Sequence, residues 1–183
     1  PADLSRGALT LRNDGPEPVQ VVVSVHGAPK APEPPTAHGF ALERLYFTLD
    51  GRAVDPTKAV QNQRLVVVLK AQEQQSALAD VLLVDYLPAG FEIENPSLVQ
   101  GGEDGGFAWL GETTSADHVE FRDDRFVAST TRQEGDRPFV VAYVVRAVSP
   151  GSYAHPPAII EDMYRPDRFA RTQASRMEVA PAR

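Results

Sequence analysis

Four histidines, His26, His38, His118 and His155, are the first candidates for metal ligation or general-base work. No two of them stand in a His-x-x-x-His or comparable pair, the spacing that places two imidazoles around one metal ion. Lone histidines in strands and loops are mostly surface groups or hydrogen-bonded core groups, so they carry no metal assignment. Asp117, Glu120, Asp123 and Asp124 gather four carboxylates in eight positions, which hard cations such as Ca²⁺ favour. The Asp-x-Asp-x-Asp-Gly ligand spacing is absent, and Arg122 and Arg125 compete for the same oxygens. A turn held by local Arg–carboxylate pairs fits better. The glycine-rich run 101–106 carries two acids and lacks the Lys-Ser/Thr and helix of a phosphate loop, so it reads as an acidic hairpin tip. Neither a Gly-x-Ser-x-Gly elbow nor a cysteine is present. Catalytic, cofactor and metal residues are therefore all assigned as none.

The elements that would have to position any such chemistry read almost wholly as strands. At 183 residues the chain supports one domain, or one domain and a piece of a neighbour. Its 16 Pro and 13 Gly favour many turns and short strands over long helices. With 18 basic against 25 acidic residues the net charge is −7, which repels a phosphate backbone and argues against nucleic acid as a partner. No apolar run approaches the roughly 20 residues of a membrane-spanning helix. The sequence starts at Pro1 without a signal-like segment, so it is expected to be a fragment of a longer chain.

Val19 to His26 is rich in β-branched residues and closes at Gly27. Residues 29–39 follow as a proline-rich, semi-rigid linker, where a domain boundary is placed. Beyond it, strands are expected over Leu42–Leu49 (closed by Asp50-Gly51), Leu65–Lys70, Val81–Tyr86 and His118–Arg122. Further strands are expected over Arg125–Ser129, Phe139–Val148 (the longest) and Thr172–Val179. Asp123-Asp124 has the spacing of a two-residue hairpin. Ser76–Ala79 and Asp162–Ala170 leave room for a helical turn or two. Strands separated by turn signals, without intervening helices, predict an all-β, antiparallel β-sandwich over residues 40–183. Val66, Val68, Val81, Leu83, Phe121, Val141, Tyr143 and Val145 are expected in its core. Trp109 is expected half-buried at a strand end, with its indole N–H bonded to a carbonyl or water.

Three stretches then resemble one family. They are Asp85-Tyr86-Leu87-Pro88-Ala89-Gly90-Phe91-Glu92-Ile93-Glu94-Asn95-Pro96, His118-Val119-Glu120-Phe121-Arg122-Asp123-Asp124-Arg125, and the tail from Arg146 to Tyr164. In this order they resemble the C-terminal macroglobulin-like domain, of MG10 type, of bacterial α2-macroglobulins. Residues 1–28 are similar to the closing strands of a preceding CUB-like domain, or are N-terminal strands of this one. Ala71-Gln72-Glu73-Gln74 is similar to a Cys-x-Glu-Gln thioester motif with Ala at the Cys position, and no thioester can form there.

The resemblance implies a macroglobulin or fibronectin-III-like sandwich in a large periplasmic protease inhibitor, anchored to the inner membrane as a lipoprotein. In that family a protease cuts a bait region, and an internal thioester then captures it covalently. The partners implied are the thioester and neighbouring domains of the same chain, the trapped proteases, and a penicillin-binding protein. The resemblance also implies that Met163 and Tyr164, on the tail after Pro156-Pro157, help keep water from the thioester. Met is apolar and flexible enough to fill an irregular gap, and Tyr adds area and a rim hydroxyl. The competing assignment packs Met163 into its own sandwich and sets Tyr164 over a sheet edge. The competing function is an Ig-like structural or adhesive module of an unrelated surface protein.

Overall fold

The computed structural model describes residues 10–24, 26, 31–74, 78–94, 108–111 and 113–182. They fall in two compact units, Pro1–Ala31 and Pro32–Arg183. In the first, the Asn13 side chain accepts from the Gly15 N–H at 3.0 Å and donates to the Glu17 carbonyl at 2.7 Å, forming a local turn. The strand expected from Val19 is not formed over the described residues, and Val19, Val21, Val22 and Val23 are all exposed. β-Branched residues favour an extended backbone, but a strand needs a partner ladder, and this segment has none among the described residues.

The second unit is built from strands. In chain order they are β1 (Thr36–His38), β2 (Phe40–Phe47), β3 (Lys58–Val60), β4 (Arg64–Glu73), β5 (Ala79–Tyr86), β6 (Phe91–Ile93) and β7 (His118–Phe121). They continue as β8 (Arg125–Arg132), β9 (Phe139–Ala147), β10 (Gly151–His155), β11 (Ala158–Asp162), β12 (Arg165–Arg171) and β13 (Ser175–Ala180). A six-stranded sheet runs β1-β12-β11-β5-β8-β7, a four-stranded sheet β2-β4-β9-β6, and a three-stranded sheet β10-β13-β3. All pairs are antiparallel except β13–β3. This is the expected all-β sandwich.

Several boundaries differ from the sequence reading. Thr36–His38, placed in the linker, pair with β12 and belong to the sandwich. Asp162–Ala170, with room for a helical turn, is instead a hairpin running into β12, because its residues pair with β11 on one side and β1 on the other. The longest strand is β4, with 10 residues, ahead of β9, with 9. The acidic run 101–106, Ser76-Ala77 and Asn95-Pro96 lie outside the described residues.

The core fills the space between the six-stranded sheet and the other two. Val81, Leu83, Val141, Tyr143 and Val145 are buried in it, and Phe121 packs at its margin. Val66 and Val68 are buried too, but on the opposite face of β4, in a second cluster with Ala142. Trp109 explains why. A 3-10 turn at Ala108–Leu110 lays the indole over that outer face, 4.9 Å from the Phe47 ring, and its N–H donates to the Leu49 carbonyl at 3.0 Å. The half-burial and the bonded N–H agree with the sequence reading; the strand-end position does not. β4 thus has both faces covered, which is why it reads as a continuous apolar run.

The Leu87-Pro88-Ala89-Gly90 segment carries the chain from the six-stranded to the four-stranded sheet. A turn closed by the Phe91 N–H on the Pro88 carbonyl at 2.9 Å aims Phe91 inward, where it is 3% exposed. Gly90 is required by close approach: a Cβ there would stand 2.2 Å from the Tyr153 ring.

Candidate functional site

Met163 and Tyr164 form the two-residue tip of the β11–β12 hairpin, not part of a longer loop. Beneath the tip sits Asp162, 1% exposed. Its Oδ1 accepts from the backbone N–H groups of Tyr164 at 3.1 Å and Arg165 at 3.2 Å, closing a local turn. Its Oδ2 accepts from Arg165 Nε at 2.8 Å and Arg168 Nη1 at 3.1 Å. Burial works against the charged carboxylate, but the Arg165 guanidinium and the backbone N–H groups of Tyr164 and Arg165 outweigh it and hold Asp162 below the ordinary carboxylate range. The Met163 N–H donates to the Asp80 carbonyl at 2.8 Å, and Arg165 reaches the Leu78 carbonyl. Backbone and base of the tip are therefore fixed on both sides. The two side chains are not: Met163 is 48% exposed and Tyr164 79%. Neither is packed into the sandwich, so the competing assignment of Met163 to its own core is corrected.

The opposite arrangement occurs inside. Arg44 on β2 and Asp85 on β5 form an ion pair at 2.5 Å with side chains 4% and 1% exposed. Tyr143 on β9 donates to Asp85 Oδ2 at 2.7 Å, and Arg44 donates to the Pro156 carbonyl at 2.9 Å. Burial pushes the Asp85 carboxyl up, against the pull of Arg44 and the Tyr143 hydroxyl. His155 on β10 lies 2.8 Å from the Tyr46 hydroxyl through Nε2 and 3.1 Å from Ser175 Oγ on β13 through Nδ1. One polar knot thus joins all three sheets.

Among the described residues, His155–Ser175 is the contact that could suggest an activated nucleophile, and its electrostatics argue against that use. Burial, with the Arg44 charge adding to it, lowers the His155 pKa to about 3, so the ring is a weak base at neutral pH. Asp85, the carboxylate that could orient it, is taken by Arg44 and Tyr143. The knot ties strands together.

The acidic cluster resolves into local pairs. Glu120 pairs with Arg122 at 2.5 Å and His118 at 3.0 Å, Asp124 with Arg125 at 3.0 Å, and Asp117 accepts the Thr131 N–H at 2.9 Å. Ala71 is buried in β4, and the motif-like run after it finishes the strand.

Sequence reasoning singled out Met163 and Tyr164, which the structure places together at an exposed tip, and did not single out Arg44, Tyr46, Asp85 and His155 as a group. A signal existed. Phe40, Leu42, Arg44 and Tyr46 share one strand face, as do Val81, Leu83 and Asp85, so alternation puts one cation and one carboxylate on core faces.

Residues 39–167, which hold the LPAG crossing and most of the knot, match the family described as the bacterial α2-macroglobulin MG10 domain. The chain belongs to that family. An α2-macroglobulin of Xylella fastidiosa (strain Temecula1) is 37% identical over 172 residues, covering 90% of this chain and 10% of its own. Native Escherichia coli α2-macroglobulin, in a structure from domain MG7 to the C-terminus, is 32% identical with a TM-score of 0.75, over 85% of this chain and 25% of that one. Salmonella α2-macroglobulin reacted with methylamine is 33% identical with a TM-score of 0.73, over 85% and 10%. The MG10-type chain therefore spans about a tenth of the length of the curated relatives it matches. This family assignment replaces the alternative of a module from an unrelated surface protein.

Proposed function

We propose that this MG10-type domain is the non-enzymatic C-terminal domain of a bacterial α2-macroglobulin-like protease inhibitor, where it docks on the thioester domain and shields it from water. One observation carries the reading: a hairpin tip, clamped at Asp162, presents a half-exposed Met and an exposed Tyr to solvent. Holding apolar side chains in water is unfavourable unless a partner covers them, and a fixed base lowers the entropy lost on docking. The same reading makes proteases the targets of the parent and places the parent in the periplasm, anchored to the inner membrane as a lipoprotein. A penicillin-binding protein is a further proposed partner. The exposed valines of the first unit fit closing strands that complete a preceding domain.

The test is a photo-crosslinking residue in place of Tyr164 in the full-length parent. The proposal expects one dominant crosslink to a peptide of the thioester domain in the native state. Crosslinks only within residues 32–182, or none, contradict it.

A further inference from the structure

The outer face of the six-stranded sheet has the composition of an interface. β5 alternates buried and half-exposed positions, so Leu82, Val84 and Tyr86 face away from the core. Val84 stands opposite Val127 on β8 and Ile159 on β11, three short aliphatics abreast across three strands. They floor a hollow of about 570 Å³. Polar groups edge it: Arg125 stacks over the Tyr86 ring at 5.1 Å, and Glu120 is held by Arg122. Glu161 differs from these. Its cross-strand neighbours are Leu82 and Phe169, both apolar, and among the described residues no cation pairs with it. An apolar centre with a charged rim is the anatomy of a docking patch. The unpaired carboxylate, on a chain of net charge −7, specifies a cation in what covers it.

We propose that this face is a second docking surface, covered by another domain of the same parent chain that sets short aliphatic side chains on Val84, Val127 and Ile159 and a lysine or arginine against Glu161. About nine-tenths of the relatives' length lies outside this domain, so sister domains are the abundant neighbours. A patch that is part apolar and part charged fits a contact between domains of one chain. The inference rests on the multidomain parent of the proposed function, not on the seal at the hairpin tip.

The test uses maleimide labelling of the full-length parent, mapped by peptide mass spectrometry, with Val84→Cys on the face and Gln173→Cys as an exposed control. These 183 residues contain no other cysteine, and the peptide map separates the two introduced sites from any cysteine elsewhere in the parent. Val84→Cys is expected to label at least tenfold more slowly than Gln173→Cys. Adding Glu161→Lys is expected to raise the Val84→Cys rate at least fivefold, with the control rate and the melting curve unchanged. Equal rates at the two sites overturn the proposal, as does a slow rate that Glu161→Lys does not move. A slow rate that rises on dilution assigns the face to a second copy and also overturns it. Thioester reactivity is not read here, so failure at this face and failure of the tip's seal are separate results.

Discussion

The Arg44–Asp85 knot and the Met163–Tyr164 tip invert the usual placement of polar and apolar groups. One buries charge between three sheets; the other lifts a thioether and a phenol into water. Both are built the same way, around a carboxylate that is 1% exposed and bonded to arginine. The difference lies in what each carboxylate fixes. Asp85 reaches across the sandwich to β2 and β9, so its bonds oppose separation of the sheets. Asp162 closes on its own hairpin and on β12, so its bonds set the shape of a protruding turn. Substitutions at the knot should therefore cost folding, and substitutions at the tip should cost only contact with a partner.

The largest effect should follow Asp85→Ala. It leaves the Arg44 guanidinium buried without its partner, which costs about 3–5 kcal/mol, a large part of a typical domain's margin. Urea unfolding would measure it, and the double variant Arg44→Met/Asp85→Leu should recover most of the loss. A loss under 1 kcal/mol would mean that the knot does not lock the sheets.

Acid should expose the same knot. His155 titrates near 3 in the folded chain and near 6.5 when unfolded, so the unfolded state takes up the proton first. Its contribution is complete above pH 6.5 and is lost as pH falls toward 3, by at most about 5 kcal/mol at roughly 1.4 per pKa unit. Denaturation midpoints across that range should fall steeply for the natural sequence and less steeply for His155→Gln.

Gly90→Ala sets a methyl group into the Tyr153 ring and should cost about 1–3 kcal/mol by overpacking. Restoration by Tyr153→Ala in the same chain, read by thermal melting, would tie the cost to that contact. At the other end, Met163→Ala should change stability by less than about 0.5 kcal/mol, because the side chain is half in water. A larger loss would return Met163 to the domain's own core and end the contrast.

How much of this was legible before the structure depended on the range of the interactions involved. Strand identity in the sandwich followed from local alternation and turn residues, so β5, β7 and β8 were placed almost as found. β10, β11 and β12 were not, because Pro156-Pro157 and the charged residues around Arg165 mask a pattern that only the ladders to β5, β13 and β1 enforce. The valines from Val19 show the converse error, a strong local propensity with no ladder to join among the described residues. Met163 and Tyr164 were singled out through family resemblance alone. Their exposure depends on the two-residue turn and the Asp162 clamp, which no spacing rule announces. The core-facing positions of Arg44 and Asp85 could be read from alternation, but their meeting could not, since they lie 41 residues apart on facing sheets.

The most direct test of the central claim is the rate at which methylamine consumes the thioester in a full-length parent that carries one, before any protease is added. With Met163→Ala, the rate should rise several-fold while the melting temperature stays within a degree or so of the natural protein. An unchanged rate in a folded Met163→Ala protein would contradict the claim that this hairpin tip seals the thioester.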